Sequence, residues 1–352
     1  MKPEWRAWLD NNGAEWQDDR VVSYGNPVRE LRVSTTGDIL VDLGHEGLIE
    51  VHGRDALEFM QGQFTNDVRQ VDAGHGQLSA LCNPKGRVLA VFRLFRHDDT
   101  YYLRLPRGLV EPVLRRLRMF ILRSQVTIED ASDAFVRFGY SGPDAEQELS
   151  DRVGRVPAAV DEVVQGPELL IQRVPGPMPR FEIYGELGPM QKLWEALNVR
   201  AAPVGAGPWE LLDILAGIPE VYPETSEAFV PQMLNLHAVG GVSFRKGCYT
   251  GQEVVARMQY LGKLKRRMYR AHVEDAVEPR PGDPVVDPAA GGSQTVGQVV
   301  RAQEAPEGGH ELLAVVEIAA HDRGELRLGE IDGPALEFRP LPYSLDPEQA
   351  AG

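Results

Sequence analysis

Lys246-Gly247-Cys248-Tyr249-Thr250-Gly251-Gln252-Glu253 sets one of the chain's two cysteines just ahead of a predicted helix start. Thr250 and Glu253 have the Thr-x-x-Glu spacing of a capping box, and Val254, Val255 and Met258 supply apolar periodicity behind them. The spacing makes Thr250 the cap and leaves Cys248 two residues before it. The unpaired amides and positive dipole end of such a helix favour an anion, and Arg245 and Lys246 add charge beside the sulfur. Both effects favour the thiolate. A cysteine in that setting has its pKa lowered from ~8.5 into the range of roughly 3.5 to 7.5, where it is a nucleophile or soft ligand at neutral pH. The plainer alternative for a free cysteine is a small buried packing residue. The cap, the two cations and the flanking glycines favour chemistry.

Working outward, a chain of 352 residues with 43% hydrophobic residues is long enough for two or three domains. Its formal charge of -15 excludes coating of nucleic acid through a general basic footprint. Two local stretches depart from that balance. Val254 to Val273 holds Arg257, Lys263, Lys265, Arg266, Arg267 and Arg270 with no acid, and Leu103 to Ile128 holds Arg104, Arg107, Arg115, Arg116, Arg118 and Arg123 against Glu111. These read as anion-binding walls or as solvated faces. The amino terminus lacks an apolar core of signal-peptide length, and no run approaches the ~20 apolar residues that span a bilayer, so a cytosolic, soluble protein with no membrane partner is expected. Cys82 and Cys248, with no Cys-x-x-Cys, supply neither a stable iron-sulfur cluster nor a thiol-rich zinc site, and no stably bound metal is expected. Cys82 ends a predicted buried strand and reads as packing, while His45, His52, His75 and His237 lack metal-ligand spacing.

Periodicity predicts a helix near Trp5 to Leu9, a strand within Val33 to Leu43, a strand at Leu48 to Val51, and a helix at Arg54 to Gln61 closed by Gly62. Gln63-Phe64-Thr65-Asn66-Asp67 reads as a polar loop. Strands follow at Leu78 to Leu81, Val88 to Arg93 and Tyr101 to Leu105, with Asn83-Pro84-Lys85-Gly86 as a turn. Leu109 to Leu122 reads as an amphipathic helix. More strands at Val126 to Ile128, Phe135 to Gly139, Leu169 to Arg173 and Phe181 to Tyr184 and helices at Met190 to Leu197 and Trp209 to Ala216 give an α+β order. Gly74-His75-Gly76 and Gly205-Ala206-Gly207 lack the remaining glycines and context of a phosphate loop. After Leu261, short strands between Pro/Gly-rich turns read as a small β-barrel.

The octapeptide, together with Leu211-Leu-Asp-Ile-Leu-Ala-Gly-Ile-Pro219 and Phe229-Val-Pro-Gln-Met-Leu-Asn-Leu236, resembles the YgfZ-type folate-binding family, relatives of the aminomethyltransferase T-protein of the glycine cleavage system. The resemblance runs from about Leu48 to the carboxyl end. It implies a multi-domain, aminomethyltransferase-like α+β fold: two mixed α/β-sheet domains, 1–45 with 125–202 and 46–124 with 203–261, and a C-terminal β-barrel over 262–345. It further implies that they form a ring around a channel holding tetrahydrofolate or a derivative. The implied role is assembly, maintenance or repair of iron-sulfur enzymes, including those that thiolate transfer RNA, with iron-sulfur proteins or their assembly machinery as partners. Carried over residue by residue, the motif places Cys248 and Lys246 as the reactive pair and Gly247, Tyr249, Thr250, Gly251, Gln252, Glu253 and Arg257 as folate-side residues.

Departures from the T-protein bear on the activity. After the turn Lys85-Gly-Arg-Val-Leu those enzymes carry an aspartate that acts in methylene transfer, where this chain has Ala90 and Val91. Ahead of the Phe181-Glu-Ile strand they carry an acidic residue that engages the pterin, where this chain reads Pro177-Met-Pro-Arg180. Either recognition moves to another carboxylate, Glu182 or Asp213, or the folate lies differently. Three functions follow: a tetrahydrofolate-binding accessory protein with Cys248 as functional thiol, a folate-dependent aminomethyltransferase-like enzyme, or a scaffold that binds a protein or transfer RNA without a ligand. Within the motif, Glu253 also fits simple capping, and Arg257, one turn on, fits an intrahelical ion pair with it.

Overall fold

The computed structural model describes residues 1–274, 277–290 and 294–345. The chain forms two compact units, each assembled from separated stretches. Met1–Ala56, Arg69–Gln77 and Arg93–Leu212 make the first, and Leu57–Val68, Leu78–Phe92 and the chain from Asp213 onward make the second.

The first unit is built on a six-stranded sheet in the order Val163–Gln165, Leu169–Arg173, Arg180–Gly185, Val136–Ser141, Ile39–Asp42, Ala202–Val204. All neighbours are antiparallel except the last pair, which is parallel. Alternate residues of the central strands face helices Pro3–Asn11, Ala145–Val153 and Leu187–Leu197, so Phe138, Tyr140, Phe181 and Ile183 pack with Trp5, Leu9, Leu149 and Trp194. Trp5 stacks on Trp8 and meets Trp194 edge-on, while its indole N–H donates to Asp42 at 2.7 Å, the partner a buried tryptophan requires. A second antiparallel ladder in this unit joins Thr127–Asp130, Glu46–His52, Thr100–Pro106 and the end of the strand Val88–His97 from Arg93 onward. Leu48, Phe95 and Tyr102 from this ladder pack with Leu170 and Tyr184 of the first sheet.

In the second unit the carboxyl-terminal strands form one six-stranded antiparallel sheet, in the order Arg327–Leu328, Pro284–Val286, Thr295–Glu304, His310–Glu317, Arg266–Val273, Glu337–Arg339. It curls into a half-barrel around Val285, Val296, Val299, Leu312, Ala314 and Val316, with a bulge between Val299 and Arg301. The expected module of short strands is therefore present in half-barrel form.

Most expected elements stand within a few residues of their predicted bounds. The amphipathic helix is shorter than its apolar run and covers Val110–Arg118, beyond which Met119 and Leu122 have no face to bury against; the Arg118 guanidinium donates to the Ile128 carbonyl. Leu122 is left 87% exposed. Helices Pro27–Val33 and Ala145–Val153 lie outside the predicted elements, and Val33 ends a helix where the sequence predicts strand. No helix among the described residues is long and apolar enough to cross a membrane.

Candidate functional site

The cysteine motif lies in the second unit, on a loop held by its own backbone and by one lysine. Ser243 N–H donates to the Thr65 carbonyl at 3.0 Å, and Thr250 N–H to the Gly62 carbonyl at 3.2 Å. Between these ties the Lys246 side chain runs inward, and its ammonium donates to three backbone carbonyls: Gln61 at 2.8 Å, Phe64 at 2.6 Å and Asn66 at 2.9 Å. The ammonium also sits 5.0 Å from the centroid of the buried Tyr249 ring. The segment the lysine grips is itself fixed. Thr65 N–H donates to the Ala80 carbonyl, and the Thr65 hydroxyl accepts from Ala80 N–H and donates to the Gly241 carbonyl, while the Asn66 amide donates to the carbonyls of Leu78 and Gly240. The expected polar loop Gln63 to Asp67 is thus largely buried scaffold.

Gly251 makes the turn into the following helix, and its conformation is one that only glycine adopts at low cost. It has φ of 84°, and a Cβ there would stand 2.5 Å from the Asn83 carbonyl oxygen and 3.0 Å from Gly86 Cα. The backbone must approach the Asn83–Gly86 turn this closely for the loop to seat. The result is a fixed platform that carries Cys248 and Gly247 outward, both exposed.

Three expectations for the motif are corrected. The helix begins at Gln252 with Gly251 as its left-handed cap and no side-chain capping bond, so Thr250 and Glu253 do not form a capping box. Thr250 instead donates its hydroxyl to the Gln63 side-chain oxygen at 3.4 Å. Cys248 consequently lies further from the helix start than the capping reading placed it. Glu253 is exposed and pairs with Arg257 at 2.8 Å, the i,i+4 ion pair the spacing allows. Lys246 directs its ammonium to backbone carbonyls and acts as a positioning residue. The idea that it serves chiefly to charge the sulfur does not describe this geometry.

The two thiols differ sharply in environment. Cys82 is buried, and that burial pushes its pKa up to about 12. Since alkylation requires thiolate and access, iodoacetamide at mildly alkaline pH is expected to add one group to the folded protein, at Cys248, and a second only after denaturation. Peptide mass mapping that found Cys82 labelled in the folded state would contradict this arrangement.

The two carboxylates considered for pterin recognition are both engaged internally. In the first unit Glu182 is 1% exposed, accepts from the Tyr184 hydroxyl at 2.7 Å and pairs with Arg104 at 3.2 Å. In the second unit Asp213 pairs with the buried Arg301 at 3.2 Å. A buried arginine needs such a partner, which gives Asp213 a structural duty.

The interior around Glu182 holds polar groups that the sequence reading missed. Gln172 faces Glu182 across the ladder, and its amide packs over Gly76, where a Cβ would stand 2.5 Å from the amide nitrogen. Gln172 and Gln77 are buried, and neither the oxygen nor the nitrogen of either amide has a hydrogen-bond partner among the described residues. Arg93 reaches Asp161 through one terminal nitrogen at 2.9 Å, while its other terminal nitrogen has no hydrogen-bond partner among the described residues. Burial raises the Asp161 carboxyl above its ordinary pKa even with the Arg93 charge opposing the shift. An unpaired buried amide costs about 1–3 kcal/mol, so keeping both of these is expensive unless something else meets them. The only sequence signal was a glutamine at an inward position of an otherwise apolar strand, Leu170-Ile171-Gln172.

Ala90 and Val91 lie on the strand Val88–His97 and are buried, so that position offers no carboxylate.

The GCVT N-terminal domain family matches residues 8–239. A curated relative called tRNA-modifying protein YgfZ, from Colwellia psychrerythraea, is 32% identical over 87% of this chain and 93% of its own. The protein of the same name from an Enterobacter species is 30% identical over 91% of this chain and 97% of its own. Among solved structures, the glycine cleavage system aminomethyltransferase T from Bartonella henselae superposes with a TM-score of 0.78 over 96% of each chain at 19% identity, a likeness of fold.

Proposed function

The chain belongs to the GCVT family and to its YgfZ-type members, and from that premise we propose that it is a tetrahydrofolate-binding accessory protein in transfer RNA modification, serving assembly or repair of the iron-sulfur enzymes involved, with Cys248 as its working thiol. The observation that carries the thiol part is the contrast between its cysteines: one is sealed in the core, while the other is exposed on a loop that Lys246, Tyr249 and Gly251 hold in place. A residue kept only for packing would not need such a mount.

The folate part is supported by the donor set of the first unit. A reduced pterin presents an amide-like edge with adjacent donors and acceptors, and the unpaired Gln77 and Gln172 amides and the free Arg93 nitrogen are groups of matching chemistry. Bound there, the folate would supply a carrier for one-carbon units. The protein's own part would be to orient it through these buried groups and to exclude water. The motif residues Gly247, Thr250 and Gln252 are assigned to shaping the loop that presents the thiol.

The second reading, an aminomethyltransferase-like enzyme, is disfavoured by Ala90 and Val91, which leave no acid where methylene transfer needs one. Calorimetric titration with tetrahydrofolate tests the proposal. Saturable binding is expected for the native chain, and at least about 10-fold weaker binding for Gln172→Leu, which removes an unsatisfied amide and so leaves the unfolding midpoint unchanged or higher. No saturable binding would remove the folate from the account, and equal affinity in the variant would remove Gln172 from its site.

A further inference from the structure

The helix that follows the cysteine loop ends in a patch that neither the thiol nor the folate reading uses. Tyr260, its last residue, is 67% exposed, and Leu261 beside it is 85% exposed. Two large apolar side chains in succession are thus presented to water. Phe244, from the cysteine loop, meets the Tyr260 ring edge-on with centroids 6.1 Å apart, which ties the patch to the platform carrying Cys248.

The charges around it are one-sided. From Val254 to Val273 there is no acidic residue, in a chain whose formal charge is -15. Several cations of this stretch are neutralised locally: Arg257 by Glu253, Arg266 by Glu317 and Arg270 by Glu311. Lys263 and Lys265, together with Arg245 on the loop, are exposed and form no ion pair with a described residue.

We propose that Phe244, Arg245, Tyr260, Leu261, Lys263 and Lys265 form a docking surface for an acidic protein segment that inserts apolar side chains against Tyr260 and Leu261. Tyrosine and arginine are enriched at protein hot spots, Leu261 adds apolar area beside them, and the flanking charges set orientation and encounter rate. RNA is the poorer fit. Its many phosphates meet a net-negative chain offering few unpaired cations, and Leu261 gives a phosphate backbone nothing. A segment with a few carboxylates and its own apolar residues uses every member of the patch. The proposal deepens the reading of Cys248 and rests on it only for the purpose of docking, which is to bring a client beside the thiol.

The test uses the full chain and fluorescence anisotropy with a labelled helical peptide of about 16 residues, leucine at i, i+3, i+4 and i+7, about four glutamates, and alanine or glutamine elsewhere. Saturable binding that weakens with added salt is expected. Lys263→Glu with Lys265→Glu, and separately Tyr260→Ser with Leu261→Ser, should each lower affinity at least about 10-fold. All four positions are on the surface, so folding is retained. Cys248→Ala should bind the peptide as the native chain does, which separates failure of docking from failure of the thiol reading. Equal affinity in the surface variants, equal binding of the peptide with serine for leucine, or tighter binding of an oligouridine of the same length would overturn the proposal.

Discussion

Replacing Lys246 with methionine, nearly the same in length and volume, is expected to destabilise the second unit by about 3 kcal/mol, roughly one for each carbonyl left without its donor. The Gln61, Phe64 and Asn66 carbonyls converge on one ammonium, and Lys246 is 6% exposed, so water does not readily replace it. In thermal unfolding this corresponds to a midpoint lower by about 5–10 °C. Arginine is no substitute, because a planar guanidinium does not match three carbonyls around a point donor. The same replacement frees the loop, and Cys248 should then react with iodoacetamide as an unrestrained surface thiol does. An unchanged midpoint with an altered thiol reaction rate would contradict the clamp and restore Lys246 as a group acting on the sulfur.

The elements that sequence patterning located are those whose burial follows a simple period. Val110, Val113, Leu114 and Leu117 recur at helical spacing and are buried on one face of Val110–Arg118. The strands around Leu48, Phe181 and Leu312 are dense in apolar residues and pack where expected. Helix Ala145–Val153 escaped because its sequence, AEQELSDRV, offers few apolar residues and reads as a polar stretch. The motif region was legible in identity but not in geometry. A capping box is a local inference, whereas the left-handed turn at Gly251 is set by the Asn83–Gly86 turn, distant in sequence. Likewise the targets of Lys246 lie on a segment some 180 residues earlier, and nothing in the spacing of the octapeptide announces them. Beyond the inward position of Gln172 in an apolar strand, nothing announces the Gln77 and Gln172 amides until burial is known, since a glutamine in a strand is ordinarily a surface residue.

Loss of the Cys248 sulfur carries the largest functional consequence. The loop puts that atom in solvent and fixes the backbone on either side of it, so truncation to alanine removes the thiol without disturbing the clamp, the Tyr249 packing or the Gly251 turn. Stability should change by no more than about 0.5 kcal/mol, as for other exposed positions. Serine, similar in size, keeps a hydroxyl but neither the acidity nor the softness of sulfur, and should fail as alanine does. Cys82→Ala provides the contrast. It leaves a small void in the core and lowers stability, yet should preserve function wherever the protein remains folded.

The most direct measurement is the level of thiolated nucleosides in transfer RNA, determined by mass spectrometry, from cells that lack this protein and carry either the native chain or Cys248→Ala at matched abundance. The account predicts that the native chain restores thiolation and that Cys248→Ala leaves it at the level of cells without the protein. Full restoration by Cys248→Ala would contradict the account and take the exposed thiol out of the function.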